Sequence, residues 1–173
     1  ILDSLLLEYP ENSLIQDLTG MNKFANGRFY EALDYVDRAI AIDSSFYIAY
    51  FNKALVLDAM GRKEAALLWM DKAIEKSQKA SHLYFERALL KKDFGDLEGA
   101  EKDYSRAISV DDEYSNALFN RAITRKMLGN YSEALRDVNL LIEREPMRPD
   151  NYNLRGNIRQ LFGDLREAID DYD

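Results

Sequence analysis

Apolar side chains recur along the chain at helical spacing, so that they share one face of a helix. Residues 81–114 show the pattern in two runs. The apolar positions of the first run are Leu83, Tyr84, Ala88 and Leu90, and those of the second run are Leu97, Ala100, Tyr104, Ala107 and Ile108. Gly95 lies between the runs. The pattern therefore predicts two antiparallel helices, each about 14 residues or roughly 20 Å long, joined by a short turn.

The same pair of helices recurs every 34 residues. Five of the eight glycines keep this interval, at Gly27, Gly61, Gly95, Gly129 and Gly163, and so do Ala32, Ala66, Ala100, Ala134 and Ala168. Such a fixed period is typical of a stacked array of repeats. We expect each glycine to form a turn, because a residue without Cβ ends a helix in the left-handed conformation at the least cost. We further expect one domain, 1–173, with the second helix of a truncated repeat at 1–12, full repeats at 13–46, 47–80, 81–114 and 115–148, and a partial repeat at 149–173.

Small residues also keep the register of the repeat, in which the turn glycine is counted as position 15. Position 8 carries Gly20, Ala54, Ala88, Ala122 and Gly156, which would let the two helices of a repeat approach closely. Together with the period of 34, bulky residues at position 4 and Pro146 at position 32, this pattern resembles the tetratricopeptide repeats. The resemblance implies an all-α, right-handed superhelical solenoid of antiparallel helix pairs, with a concave groove lined by the first helices.

Charge and composition exclude several classes of function. The chain has 31 acidic and 23 basic residues, a net charge of −8, no cysteine and a single histidine, His82. A surface that binds nucleic acid or a membrane needs clustered positive charge, so we expect neither partner. Thiolate and two-histidine metal sites cannot be built, and phosphate-loop and nucleophile motifs are absent, so we expect no metal, no cofactor and no enzymatic activity. The composition leaves the compartment open, and a cytoplasmic location is favoured. No apolar run reaches membrane-spanning length.

Two repeat positions carry opposite charges in the same three repeats. Position 7 holds Arg87, Arg121 and Arg155, and position 23 holds Asp103, Asp137 and Asp171. We predict that the two positions pair within each repeat, because a bidentate guanidinium suits a partly buried bridge between helices. The alternative is a basic ladder that binds an acidic ligand. Position 11, with Lys23, Lys91, Arg125 and Arg159, leaves a similar choice between an acidic-peptide patch and a solvated face that pairs with nearby acids.

Recognition is expected on the face of the first helices that the resemblance places in the groove. Position 5 aligns Phe51, Phe85 and Phe119, which we interpret as the groove floor, the alternative being packing between repeats. The other expected partner-binding residues are Ile48, Asn52, Leu55, His82, Leu89, Lys92, Asn116, Asn120, Ile123 and Lys126. An apolar trough with polar edges suits an amphipathic helix or an extended peptide. Asn52 and Asn120 resemble the asparagine ladder of peptide-binding family members, whereas the residues that bind acidic chaperone tails in other members are absent.

These observations favour a non-enzymatic scaffold that binds a peptide or helix of a partner protein in the groove. The alternative is a structural self-assembly or spacer segment of a larger protein, which would associate with itself through the truncated terminal repeats. Apolar side chains lie at both ends, at Ile1, Leu2, Leu5 and Leu6 and at Ala168, Ile169 and Tyr172. Repeat arrays usually cover such faces with a polar capping helix, so we expect termini that are frayed or covered.

Overall fold

The computed structural model describes residues 2–172, and within them the chain forms eleven α-helices and no strand. The helices are α1 (Leu2–Glu8), α2 (Ser13–Ala25), α3 (Phe29–Ile42), α4 (Tyr47–Ala59), α5 (Lys63–Lys76), α6 (Ser81–Asp93), α7 (Leu97–Val110), α8 (Ser115–Met127), α9 (Tyr131–Arg144), α10 (Pro149–Phe162) and α11 (Leu165–Tyr172). The first helices of successive pairs are α2, α4, α6, α8 and α10. The predicted all-α class and the repeated helix pairs are confirmed, and Ile1 and Asp173 lie outside the described residues.

A glycine in the left-handed region forms the turn within each of five helix pairs. The φ angle is 73° at Gly61 and 79° at Gly129. A Cβ at either glycine would meet open space, so the backbone conformation rather than crowding requires glycine there. The amide of Gly61 donates to the carbonyl of Asp58 at 2.8 Å, and the amide of Arg62 donates to the carbonyl of Leu57 at 2.9 Å, which closes the end of α4. The prediction of glycine turns is confirmed.

Small residues lie where the two helices of a pair face each other. Ala54 and Ala88 are fully buried. A Cβ added to Gly20 would come within 2.9 Å of Val36 Cγ2 and 3.1 Å of the carbonyl oxygen of Ala32, both on α3. The backbones of α2 and α3 therefore approach as closely as the small residues of position 8 predict.

The chain forms two compact units, unit 1 (residues 1–83) and unit 2 (residues 84–173). In unit 1, α2 packs against α3, α4 packs against α5, and α3 packs against α4. In unit 2, the same contacts join α8 to α9, α10 to α11, and α9 to α10. A core cluster of unit 1 is formed by Val36, Ala39 and Ala49, and one of unit 2 by Ala122, Ala134, Val138, Leu154 and Ile158. Each helix pair thus buries apolar side chains against the next pair of its unit.

Three further observations concern the surface. Within residues 2–172, no helix is both long enough and apolar enough to span a membrane. Over the same range, no group of three or more His, Cys, Asp or Glu side chains is placed to hold a metal ion. The apolar residues predicted at the two ends differ in burial: Leu5 and Leu6 are half-buried and Ala168 is buried, whereas Ile169 and Tyr172 are exposed.

Candidate functional site

The predicted arginine–aspartate pairs connect the first and second helices of the repeats in unit 2. Each pair places two guanidinium nitrogens on a buried carboxylate, and the pairs are Arg87 with Asp103, Arg121 with Asp137, and Arg155 with Asp171. In the second pair, Nε and Nη2 of Arg121 lie 2.9 and 2.7 Å from the two oxygens of Asp137. The prediction of internal pairing is confirmed for all three repeats.

A second cation from position 11 binds each of these aspartates. The salt bridges join Lys91 to Asp103, Arg125 to Asp137, and Arg159 to Asp171, at 2.8, 2.8 and 2.7 Å. Each buried carboxylate therefore lies between two cations that are one helical turn apart on the same first helix. Because these cations have carboxylate partners inside the fold, the structure favours internal pairing over both the basic ladder and the acidic-peptide patch.

The arginines of position 7 also reach the preceding repeat. Arg121 Nη1 donates to Ser105 Oγ at 3.1 Å, and Arg155 Nη1 donates to Asn139 Oδ1 at 3.0 Å. One guanidinium thus joins the two helices of its own repeat and the second helix of the repeat before it. These contacts indicate that the charged side of the first helices stabilises the packing of one repeat on the next.

Unit 1 has aromatic rings at the position that carries aspartate in unit 2. Lys53 Nζ lies 3.7 Å from the centre of the Trp69 ring, and Lys72 Nζ lies 3.9 Å from the same centre. Lys53 also forms a salt bridge of 2.5 Å with Asp37. Positions 7 and 23 are therefore joined by a cation–π contact in this repeat rather than by an ion pair.

The first-helix face of unit 1 consists of Ile48, Phe51, Asn52, Leu55 and His82. Its rings cluster: His82 meets Phe51 edge-on with ring centres 5.7 Å apart, and its ring centre lies 6.1 Å from that of Tyr47. Burial lowers the pKa of His82, so its ring is neutral at pH 7. Phe51, Leu55 and His82 are half-buried and Ile48 is exposed, which leaves part of this apolar face accessible.

The side-chain amide of Asn52 forms a hydrogen bond within unit 1. Its Nδ2 donates to Asp17 Oδ2 at 2.8 Å, and both side chains are buried. Burial raises the pKa of Asp17, and the hydrogen bond from Asn52 opposes that shift. The amide that sequence analysis offered to a ligand backbone therefore stabilises a buried acid instead.

The first-helix face of unit 2 consists of Phe85, Leu89, Lys92, Asn116, Phe119, Asn120, Ile123 and Lys126. Phe85 lies between two tyrosines, its ring centre 5.1 Å from that of Tyr114 and 5.8 Å from that of Tyr104. The guanidinium carbon of Arg148 lies 5.8 Å from the centre of the Phe119 ring. Phe85 and Phe119 are both half-buried, so each presents part of its ring at the surface.

Polar groups lie beside these rings. Lys92 Nζ donates to Asn120 Oδ1 at 3.3 Å, and Asn120 Nδ2 donates to the carbonyl of Asn116 at 2.9 Å. Asn116 is exposed, and Lys126 is half-buried at the end of the same helix. Phe119 and Ile123 also pack against the core cluster of unit 2, so these two side chains contribute to packing between repeats as well as to the face.

The family follows from the sequence match. A family model of the tetratricopeptide repeat matches residues 18–81 and 85–151, which together make up more than half of the chain. The chain belongs to the tetratricopeptide repeat family. Proteins built from these repeats are generally non-catalytic scaffolds for protein interactions. No curated protein matches the sequence.

Solved tetratricopeptide structures share the fold at low sequence identity. MamA is 16% identical, with a TM-score of 0.84 over 94% of this chain and 89% of that chain. YrrB, described as a TPR protein with an unusual peptide-binding site, is 18% identical, with a TM-score of 0.81 over 99% of this chain and 88% of that chain. The first TPR of Spaghetti (RPAP3), bound to the HSP90 peptide SRMEEVD, is 19% identical, with a TM-score of 0.63 over 68% of this chain and 94% of that chain. These likenesses show the tetratricopeptide fold.

Sequence analysis missed two side chains that cover the phenylalanines of unit 2. Tyr114 is the N-cap residue of α8 and contacts Phe85, and Arg148 is the N-cap residue of α10 and covers Phe119. Both occupy position 34, and each covers position 5 of its own tetratricopeptide repeat. The signal was therefore present in the sequence, as a bulky or cationic residue just before the next first helix.

Proposed function

We propose that this tetratricopeptide protein is a non-enzymatic scaffold that binds a peptide or helix of a partner protein through the first-helix face of unit 2. The first-helix face of unit 1 is proposed as a separate contact surface of the same kind. The repeat boundaries given above remain part of this proposal, because they set which residues share each face. The proposal concerns a protein or peptide ligand and needs no cofactor.

The observation that carries the proposal is that the two sides of the first helices in unit 2 differ: one side is charged and internally paired, and the other is partly accessible and aromatic. On one side, the cations at positions 7 and 11 are held by the buried aspartates, so they are poorly placed to bind a ligand. On the other side, Phe85 and Phe119 are only half-buried, and Asn116 on the same face is exposed. Aromatic surface beside hydrogen-bonding groups suits a peptide that buries a few side chains and offers its backbone.

The fold relatives support a peptide ligand in general terms. YrrB is described as having a peptide-binding site, and the first TPR of Spaghetti (RPAP3) as being bound to an HSP90 peptide. The acidic HSP90 peptide is not the ligand class that we expect here, because the cations of unit 2 already bind internal carboxylates.

The test is selection from a random peptide display library on the immobilised chain, followed by affinity measurement with single variants. Phe119→Glu places a charge on the face and should lower the affinity of the selected peptides by about tenfold or more. Phe94→Glu is the matched control, because Phe94 is an exposed phenylalanine outside the face. Equal binding by wild type and Phe119→Glu, with both folded by circular dichroism, would contradict the proposal.

A second candidate function is self-association, and exposed apolar side chains favour it. Leu7 on α1 is 87% exposed, and Leu165 and Ile169 on α11 are 61% and 59% exposed. Such side chains are a common feature of surfaces that pair with another protein surface. Light scattering distinguishes the candidates: a concentration-dependent mass that Leu165→Glu abolishes supports self-association, whereas a constant monomer mass excludes it.

A further inference from the structure

Glu86 is a half-buried carboxylate on α6, next to the first-helix face of unit 2. In the part of the chain that the structure describes, its carboxylate has neither a hydrogen bond nor a salt bridge, and burial raises its pKa. The neighbouring residue Phe85 lies against Tyr104 and Tyr114, so aromatic rings lie beside this part of α6. Partial burial without a cation is unfavourable for a carboxylate, since solvation is lost and no charge replaces it.

Tyr104 packs against Phe85 beside the same part of α6. Its side chain is fully buried, and its hydroxyl oxygen has no hydrogen-bond partner within residues 2–172. Burial raises the pKa of Tyr104, and the negative charges of Asp93 and Glu86 raise it further. Because this hydroxyl is fully buried, Tyr104 acts on the surface only through its ring, which packs against Phe85 with ring centres 5.8 Å apart.

The cations nearest in sequence are already used elsewhere. Arg87 and Lys91 bind Asp103, and Lys92 donates to Asn120. Glu86 therefore carries a negative charge that the neighbouring cations of α6 leave without a salt bridge. The same negative charge also raises the pKa of Tyr114, after the larger effect of burial. A carboxylate beside aromatic rings binds a cation through two interactions, an ion pair with the carboxylate and a cation–π contact with the ring faces.

We propose that Glu86, together with Phe85 and Tyr114, forms a subsite for one arginine or lysine side chain of the bound peptide. The proposal rests on the proposed function and adds the charge of the ligand to it. The cationic head binds the carboxylate of Glu86, and its methylene groups lie against the rings of Phe85 and Tyr114. Tyr104 is fully buried against Phe85 and holds that ring in place without contacting the ligand. The partner is thus a basic rather than an acidic peptide, in keeping with the net charge of −8.

The first experiment measures a small probe, so that it does not depend on finding the peptide. N-acetylarginine amide is titrated into the full chain and followed by the NMR signals of the Phe85 and Tyr114 rings, with N-acetylcitrulline amide as the uncharged match. The arginine probe should give saturable shifts, and the citrulline probe should bind about tenfold more weakly. Equal shifts with both probes would overturn the proposal.

Variants then assign the effect to Glu86. Glu86→Gln keeps the shape and should weaken the arginine probe about tenfold, whereas Glu113→Gln, at an exposed glutamate of the same unit, should leave it unchanged. Tyr114→Leu removes the ring that the methylene groups contact and should weaken the probe severalfold, so that the subsite is tested even if one variant unfolds. Binding that is insensitive to both Glu86→Gln and Tyr114→Leu overturns the proposal.

The second experiment uses the peptides selected on the chain and separates the two proposals. Replacing their basic residue by citrulline or norleucine should lower the affinity for wild type but not for Glu86→Gln, which is the coupling expected of a direct pair. If Phe119→Glu abolishes peptide binding while the basic residue has no effect, the proposed function stands and this inference fails. If peptides bind without any effect of Phe119→Glu while the arginine probe still requires Glu86, the proposed function fails and the subsite stands.

Discussion

The two units place aspartate inside the fold in different ways. In unit 1, Asp17 is 2% exposed and receives one hydrogen bond, from the neutral amide of Asn52, and burial raises its pKa. In unit 2, Asp103, Asp137 and Asp171 are also buried, but each lies between two cations from one first helix. Burial opposes the ionised form of Asp17 in unit 1, whereas each buried carboxylate of unit 2 forms ion pairs with two cations.

The difference shows that the tetratricopeptide backbone does not dictate how positions 7 and 23 are filled. The repeat of Trp69 uses a cation–π contact with Lys53 where the repeat of Asp137 uses an ion pair with Arg121. Both contacts join the first helix of a repeat to the second helix of the same repeat. They differ in the effect of a single substitution. Removing a cation from unit 2 takes an ion-pair partner from a buried aspartate, whereas removing Lys53 does not.

The largest effect is expected from Arg121→Met. This change removes the bidentate partner of buried Asp137 and the hydrogen bond to Ser105, while Arg125 remains. The buried charge of Asp137 then keeps only one of its two cationic partners, so we expect a loss of about 3 kcal/mol in the free energy of unfolding. Urea denaturation followed by circular dichroism measures it.

Lys53→Met in unit 1 is the matched control for this prediction. Lys53 contacts the Trp69 ring and the half-exposed Asp37, so its removal should cost about 1 kcal/mol or less. Equal losses for Arg121→Met and Lys53→Met would break the comparison between the units. A double-mutant cycle of Arg121 and Asp137 should further show strong coupling.

The second effect has the opposite sign and depends on pH. Because burial raises the folded-state pKa of Asp17 above its ordinary value of 3.8, the folded state binds this proton more tightly than the unfolded state. That contribution to stability is complete below pH 3.8 and is lost as the pH rises through the folded-state pKa. Asp17→Asn cannot ionise, so its stability relative to wild type should increase between pH 4 and pH 7.

Denaturation of wild type and Asp17→Asn over this pH range measures the effect. Asp137→Asn is the contrasting variant, since it replaces a carboxylate that has two cationic partners and should destabilise the protein at pH 7. If Asp17→Asn is less stable than wild type and the difference widens as the pH rises, then Asp17 is favoured in its ionised form and the account of unit 1 is wrong.

The smallest effect should be the same in both units. Gly61→Ala and Gly129→Ala each force a Cβ into the left-handed region, at φ angles of 73° and 79°, with open space around the added methyl group. The cost is conformational only and should be about 1 kcal/mol at each site. Thermal denaturation of the two single variants tests this equality, and a large difference between them would mean that one turn makes contacts that the other lacks.

The sequence allowed the ion pairs of unit 2 to be predicted because they repeat. Arg87, Arg121 and Arg155 occur together with aspartate sixteen residues later, and the period converts that coincidence into a prediction about one geometry. The turn glycines were predictable for the same reason. What repeats in sequence repeats in structure, since each unit of an array meets nearly the same neighbours.

Features that occur once were not predictable in this way. Asn52 was expected to face a ligand, but Asp17 lies opposite it in the preceding repeat, where the other repeats have phenylalanine or asparagine at position 5. Glu86 occupies position 6, where the repeats on either side have Asn52 and Asn120, and its surroundings depend on Tyr104 and Tyr114 from outside α6. Side-chain contacts across repeats decide such cases, and the pattern of a single position does not contain them.

The central claim is that a partner peptide lies on the first-helix face of unit 2, and site-specific photo-crosslinking tests it most directly. The chain is prepared with p-benzoylphenylalanine in place of Phe119, on the face, or in place of Phe94, an exposed ring outside it. Each protein is irradiated with a peptide selected on the wild-type chain. The account predicts a crosslink from position 119 and none from position 94, whereas a crosslink from position 94 alone would contradict it.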